Sequence, residues 1–160
     1  AASDVYKRQE LEALQKALRS KPERFDRTWN SKSRYSMDWY YPILCGVYDA
    51  DESKKIIKDK WENFVVPGLG CKCVEEEPWV TIAETCELIL ALNKIGERKL
   101  ATSLYDDILN LKDKKDNLFW TGFVYKDHKH WPVEKPSWTA AAVILAANSL
   151  FELNSNFDFF

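Results

Sequence analysis

The chain has 160 residues, of which 46% are hydrophobic and 14% aromatic, so it can bury a core and is not a disordered segment. Its 23 basic and 25 acidic residues are well mixed and give a formal net charge of -2, which argues against a nucleic-acid-binding protein. No apolar stretch reaches the roughly 18 residues of a membrane span, so none is predicted. The four cysteines lie mostly in apolar runs or beside a short loop, which favours a reduced, cytoplasmic protein.

The first nine residues are interpreted as a sequencing artefact. Residues 4–9, Asp-Val-Tyr-Lys-Arg-Gln, match one reading frame of the mosaic-end adapter of transposon-based DNA libraries. Such segments are excluded from fold reasoning. Residues 10–160 are therefore predicted to be the C-terminal part of one domain, with sequence missing before Glu10.

The first half of the chain predicts three helices. Leucines 11, 14 and 18 recur at helical spacing, and Pro22 ends this helix near residue 20. The second helix is predicted at 36–48, with Pro42 in its first turns or at a kink. The third is predicted at 52–66, with Ile57, Trp61 and Phe64 on its buried face.

The second half predicts three more helices. Thr81 and Glu84 have the spacing of a capping box, which would begin a helix at 81–95. A helix at 97–111 carries one apolar face, and residues 112–136 are predicted to be a long connection. The last helix, at 139–153, is apolar on all sides.

These helices alternate in character. Those beginning near residues 36, 81 and 138 are apolar nearly all round, whereas those near 52 and 97 have one polar face. A helix without a polar face must be covered on every side. This pattern, with a period of about 50 residues, predicts an all-α fold of the α/α toroid class: helical hairpins in two concentric layers, here an incomplete C-terminal portion. A partial ring of this kind is expected to aggregate or dimerise.

Five motifs between residues 35 and 150 resemble those of one family. They are SMDWYYP at 36–42, VPGLG at 66–70, PWVTxxETCEL at 78–88, FWTGxVY at 119–125 and WTAAAVILAA at 138–147. These resemble uncharacterised bacterial prenyltransferase-like or squalene-cyclase-like proteins of the terpenoid cyclase and protein prenyltransferase α/α toroid superfamily. The resemblance implies a transferase or cyclase acting on a small molecule in an aromatic-lined central cavity.

The N-terminal ends of the inner helices and the loops before them are predicted to surround the mouth of that cavity. Aromatic rings stack on sugars or stabilise isoprenoid carbocations, and carboxylates bind hydroxyl groups or move protons. Asp38 and Glu84 are the candidate catalytic residues, although both could instead cap their helices. The candidate substrate-binding residues are Trp39, Tyr40, Trp79, Trp120, Tyr125, Trp131, Glu134 and Trp138.

The metal and cofactor motifs of that superfamily are not recognisable. There is no Asp-x-Asp-Asp stretch, and no aspartate lies two residues before Cys73, as a zinc-binding Asp-x-Cys pair would require. His128 and His130 are interpreted as exposed loop residues. No metal site is therefore predicted, and the cofactor is unknown.

Three functions stay open at this point. The first is a prenyltransferase-like or terpene-cyclase-like protein with a small-molecule or isoprenoid ligand. The second is a carbohydrate-active enzyme, glycosidase-like or lyase-like, that uses Asp38 and Glu84 as paired carboxylates. The third is a non-catalytic module that binds a glycan or a protein. No nucleic-acid partner is expected, and the oligomeric state is undetermined.

Overall fold

The computed structural model describes residues 2–26 and 31–153 and shows a mostly helical chain, which confirms the helical class. Residues 154–160 of the predicted domain lie outside the described residues. The toroid is not shown. The helices are α1 (Ala2–Ser20), α2 (Ser36–Leu44), α3 (Ala50–Phe64), α4 (Ile82–Lys94), α5 (Arg98–Asn110) and α6 (Ser137–Phe151), with short 3-10 helices at Pro22–Arg24 and Lys32–Arg34.

Five short strands form two small antiparallel sheets among the described residues. One pairs β1 (Val65–Val66) with β2 (Gly70–Cys71); the other orders β3 (Trp79–Thr81), β4 (Gly122–Val124) and β5 (Lys129–His130). The predicted connection at 112–136 therefore contains a β-hairpin. Strands of two or three residues carry no periodic signal, so only the pairing of β4 with β3 and of β5 with β4 reveals them.

Helix α4 is the centre of the fold. It packs against α2, α5 and α6, and its leucine and isoleucine side chains at 88, 89 and 92 are fully buried. The predicted apolar circumference of this helix is thus covered on most sides. Ile57 and Phe64 of α3 are buried as predicted, and Trp61 is half-buried.

Helix α6 departs from the prediction that every apolar helix is covered all round. Val143, Ala146 and Leu150 are buried, but Ile144 is 66% exposed. The physical reason is that α4 and α5 pack on one side of α6, and no described helix covers the other. The rule that apolar helices are covered on all sides is therefore wrong for α6 within the described residues.

The predicted capping box at the start of α4 is also wrong. The Thr81 side chain makes no capping hydrogen bond, and the Ile82 amide donates to the carbonyl of Thr121, the residue before β4, at 3.1 Å. A capping box does form on α3, where Asp49 and Glu52 bond reciprocally. The hydrogen bond from Ile82 to the hairpin leaves the Glu84 carboxylate unused for capping.

Candidate active site

A groove of about 490 Å³ lies between α2, α4 and α6. Its acidic lining residues are Glu84 and Glu87, one turn apart on α4, and its aromatic ones are Tyr41 of α2 and Trp138 of α6. The remaining lining is apolar or small, including Ala141 and other residues of α6. The groove thus combines two carboxylates with a mainly apolar lining.

Glu87 is held by two tyrosines of α2. The Tyr40 hydroxyl donates to one carboxylate oxygen at 2.6 Å, and the Tyr41 hydroxyl donates to the other at 3.1 Å. Burial raises the pKa of Glu87; the two hydrogen bonds oppose this rise, and the neighbouring Glu84 adds to it. The pKa of Tyr41 is raised to about 12 by burial and by Glu87, so its hydroxyl stays a donor near neutral pH.

The raised pKa of Glu87 makes stability depend on pH. Between the ordinary carboxyl pKa of 4.5 and the higher folded-state value, the folded protein binds more protons than the unfolded chain. The free energy of unfolding therefore falls as pH rises through this window. We expect calorimetric melting temperatures of Glu87→Gln to lack this fall, while the exposed control Glu62→Gln retains it. Parallel pH profiles for wild type and Glu87→Gln would contradict the assignment.

Glu84 faces the groove with a partly unsatisfied carboxylate. One oxygen, Oε2, is buried and has no hydrogen-bond partner among residues 2–26 and 31–153. Burial, the charge of Glu84 and a hydrogen bond to it raise the pKa of the Cys73 thiol to about 12, so this thiol is a donor to Glu84. A buried acceptor without a partner is costly, and this oxygen distinguishes Glu84 from Glu87, whose two oxygens both accept hydrogen bonds.

Asp38 lies on the neighbouring groove. It is exposed in the first turn of α2 and lines a depression of about 560 Å³. This depression shares Met37, Tyr41 and Cys45 with the Glu84 groove, so the two adjoin across α2. The structure thus places the two predicted catalytic carboxylates on neighbouring surfaces, and brings Glu87 to Glu84 instead. Sequence reasoning missed Glu87, although its spacing of three residues from Glu84 indicates a shared helical face.

The predicted substrate-binding residues of α2 occupy the core. Trp39 is 3% exposed, stacks on Phe64 at 5.4 Å and donates its indole N–H to the Ile56 carbonyl. Tyr40 is fully buried and reaches the site only through its hydroxyl bond to Glu87. Trp138, by contrast, is 52% exposed and lines the groove. Among these three, Trp138 alone offers an open aromatic face.

The other predicted binding residues belong to the three-stranded sheet and its flanking loops. Trp79 contacts Trp131 edge-on, with ring centroids 5.0 Å apart. Trp120 stacks on His130 at 4.7 Å, with the Lys135 ammonium 4.2 Å from the Trp120 ring centroid. Two further predicted residues, the half-buried Tyr125 and the exposed Glu134, flank the sheet, and Glu134 accepts a hydrogen bond from Thr121 at 3.1 Å.

The described residues contain neither a metal-binding cluster nor a membrane-spanning helix. No group of three or more His, Cys, Asp and Glu side chains within 2–26 and 31–153 is placed to hold a metal ion. In the same part of the chain, every helix is too short or too polar to cross a membrane.

The comparison with known proteins bears directly on this site. The chain is 46% identical over 134 residues to a mannosidase. That protein is the MMP endo-(1,4)-3-O-methyl-alpha-D-mannosidase of Mycolicibacterium hassiacum. The aligned part is 84% of this chain but 36% of the relative, so the chain spans about a third of the length of that protein. No protein-family model matches the chain.

This similarity corrects the family expectation. A mannosidase is a glycoside hydrolase, so the resemblance to prenyltransferase-like and squalene-cyclase-like proteins was wrong, and with it the expected isoprenoid chemistry. The family label that those motifs carry describes a fold, and a shared fold does not determine which reaction a protein catalyses. The carbohydrate-active alternative is the one that the similarity favours.

Proposed function

We propose that this chain is part of a glycoside hydrolase that cleaves within a 1,4-linked chain of 3-O-methylmannose. The 46% identity to a mannosidase with that activity in its name supports the substrate class. The observation that carries the proposal is Glu84, a groove-lining carboxylate with one oxygen lacking a partner in the described residues. Hydrolysis of a glycosidic bond needs such a group to move a proton.

In this proposal Glu84 transfers the proton and Asp38 is the second carboxylate. The proton passes to the oxygen of the leaving sugar as the glycosidic bond breaks, and a water molecule adds its oxygen to the anomeric carbon. The proton that this water loses passes to Asp38 in an inverting enzyme, or to Glu84 in a retaining enzyme whose covalent glycosyl intermediate forms on Asp38. Glu87 has both oxygens bonded to tyrosines of α2, so in this proposal it holds α2 against α4 beside the reacting groups. A separation of about 6.5–9.5 Å between the two reacting carboxyls corresponds to inversion, and one of about 5–5.5 Å to retention.

Sugar recognition is assigned to the exposed aromatic face beside these acids. Trp138 lies on the groove with Glu84, so a mannose ring stacked on its indole would bring the glycosidic bond to the carboxylate. The 3-O-methyl group adds apolar surface, which suits the small apolar side chains of α6 that line the same groove. The roles of Trp39, Tyr40, Trp79, Trp120, Tyr125 and Glu134 in binding stay predictions.

The direct test is hydrolysis of a linear 1,4-linked 3-O-methylmannose polymer by the longest protein that carries this chain. We expect new reducing ends and internal fragments, as an endo-acting enzyme produces. Monitoring the anomers by NMR in the first minutes would distinguish inversion from retention. Absence of cleavage with this polymer and activity on a different glycan would overturn the substrate assignment.

We further propose that the described helices are a part of an α/α toroid, as the helix alternation predicted. The support is the open apolar side of α6, which in a ring would pack against the next inner helix. The domain boundary at residue 10 also stays a prediction. Helix α1 begins at Ala2, and a helical conformation does not distinguish native residues from an artefact at 1–9.

Ile144 provides the test of the open side of α6. We expect the 160-residue chain alone to self-associate through this surface, because an exposed apolar patch is removed from water by pairing. Ile144→Lys places a charge there and should shift the population to monomer in light scattering after size-exclusion chromatography. Val133→Lys adds the same charge at an exposed loop position outside α6 and should leave self-association unchanged. A monodisperse wild-type monomer would contradict this proposal.

A further inference from the structure

The β-hairpin beside the groove carries a tryptophan that is held in place yet left open. Trp131 is 57% exposed, and its backbone carbonyl accepts the indole N–H of Trp79 at 2.8 Å. The Trp79 ring also meets the Trp131 ring edge-on at 74°. Trp131 therefore has a held backbone and a ring that Trp79 contacts on one side, although more than half of the residue is exposed.

The absence of a side chain at Gly122 leaves the space that the Trp79 ring occupies. A Cβ atom at this position would lie 2.4 Å from the indole nitrogen of Trp79 and 2.6 Å from the Val80 carbonyl oxygen. Only a residue without a side chain lets the Trp79 ring cross β4 and reach Trp131. The Trp131 amide in turn donates to the Gly122 carbonyl at 3.1 Å, so this residue also holds the backbone of Trp131.

This hairpin lies at the same end of the fold as the Glu84 groove. Strand β3 continues directly into α4, and the first amide of α4 bonds to the hairpin at Thr121. The short connection after Trp131 leads to Trp138, which begins α6 and lines the groove. Trp131 and Trp138 are the two tryptophans that are more than half exposed in the described part of the chain.

We propose that Trp131 is a distal sugar-binding subsite, which holds the part of a 3-O-methylmannose chain that extends beyond the Trp138 groove. The inference rests on the proposed function. An enzyme that cuts inside a polymer must hold sugars on both sides of the cleaved bond, so it needs contacts outside the groove that contains the acids. A rigid indole with an open face binds the C–H face of a sugar ring with little loss of conformational freedom.

The surroundings of Trp131 favour a glycan over a protein partner. The exposed residues of the hairpin and of the loop after it include Lys126, Asp127, Lys129 and Glu134, whose polar groups suit hydroxyl-rich sugars. Glu134 lies beside the turn and is oriented by its bond from Thr121. A single open ring within a charged rim matches one sugar unit, whereas a protein interface needs a broader apolar centre.

The test compares a long polymer with its shortest cleavable fragment, in the longest protein that carries the chain. For Trp131→Ala we expect KM for the long polymer to rise by about 3- to 10-fold, with kcat and the KM of the short fragment unchanged. Trp131→Phe should recover part of the affinity, because it restores an aromatic face. Val133→Ala, an exposed substitution in the same loop, is the matched control and should have no effect.

The outcomes separate this inference from the proposed function. Equal KM changes for long and short substrates, or none, would overturn the distal subsite while hydrolysis itself stands. If the wild type cleaves neither substrate, the proposed catalysis fails, and fluorescence titration of Glu84→Gln with and without Trp131→Ala still measures polymer binding. A large drop in melting temperature for Trp131→Ala with unchanged polymer affinity would instead mean that protein covers the ring, and would also overturn the inference.

Discussion

Glu84→Gln is expected to lower kcat for cleavage of 1,4-linked 3-O-methylmannose chains by about 10²- to 10⁴-fold, the range that a general acid or base contributes. The amide keeps the shape of the side chain but cannot transfer the proton. Because Glu84 lines the groove without capping its helix, the variant should fold and bind polymer nearly as the wild type does. Initial rates of reducing-end release measure the effect.

Three other variants make this result specific. Asp38→Asn should lower kcat by a similar factor if Asp38 is the second carboxylate. Full activity of Asp38→Asn would show that another residue is the second carboxylate. Glu87→Gln should lower kcat far less than Glu84→Gln does, since both Glu87 oxygens are occupied by the Tyr40 and Tyr41 hydroxyls. Glu62→Gln on the exposed side of α3 should do nothing. A fully active Glu84→Gln enzyme would refute the catalytic assignment.

The second large effect is expected on stability, at Gly70. Its backbone has a φ of +124°, and a Cβ atom there would lie 2.6 Å from Oγ1 of Thr85. That hydroxyl accepts the Cys71 amide at 2.8 Å and donates to the Thr81 carbonyl at 2.6 Å, so it joins β2 to the first turn of α4. Gly70→Ala adds backbone strain and a clash, which together should lower the free energy of unfolding by about 2–6 kcal/mol.

Gly68→Ala is the matched control for this effect. Gly68 also has a positive φ, +78°, but a Cβ atom there would meet nothing within 4 Å. It should therefore cost roughly 1–2 kcal/mol from the backbone alone. Urea denaturation of both variants isolates the contribution of the Thr85 contact, and adding Thr85→Ala to Gly70→Ala should be less than additive. Equal losses in the two glycine variants would show that the contact is unimportant.

The helices of this protein were largely predictable from local signals. Apolar side chains at helical spacing, Pro22 and the glycine-containing segment after α3 located the helices to within a few residues. Helix α6 was correctly placed but its surroundings were not, because periodicity reports which side chains are apolar and not which neighbour covers them. The hairpin of β4 and β5 was missed because its strands are too short for a periodic signal, and β4 also pairs with β3, about 40 residues earlier in the chain.

The candidate site was likewise predictable from the sequence only in part. Glu84 and Trp138 were predicted as site residues from the chemistry and position of their side chains, and the structure brings both to one groove. The pairing of Thr81 with Glu84 was predicted as a cap because their spacing fits one, yet the hairpin supplies the acceptor instead. That contact lies far away in the sequence, so no local pattern contains it.

By itself, the sequence determined the helical class, the approximate positions of the helices and the wealth of aromatic and acidic side chains near their N-terminal ends, because these follow from local spacing and residue chemistry. Only the tertiary structure decided that Glu87 joins Glu84, that Tyr40 and Tyr41 hold it, and that Trp131 stays open while Trp39 is buried. These outcomes depend on which distant segments pack together, and packing of that kind is a property of the whole fold.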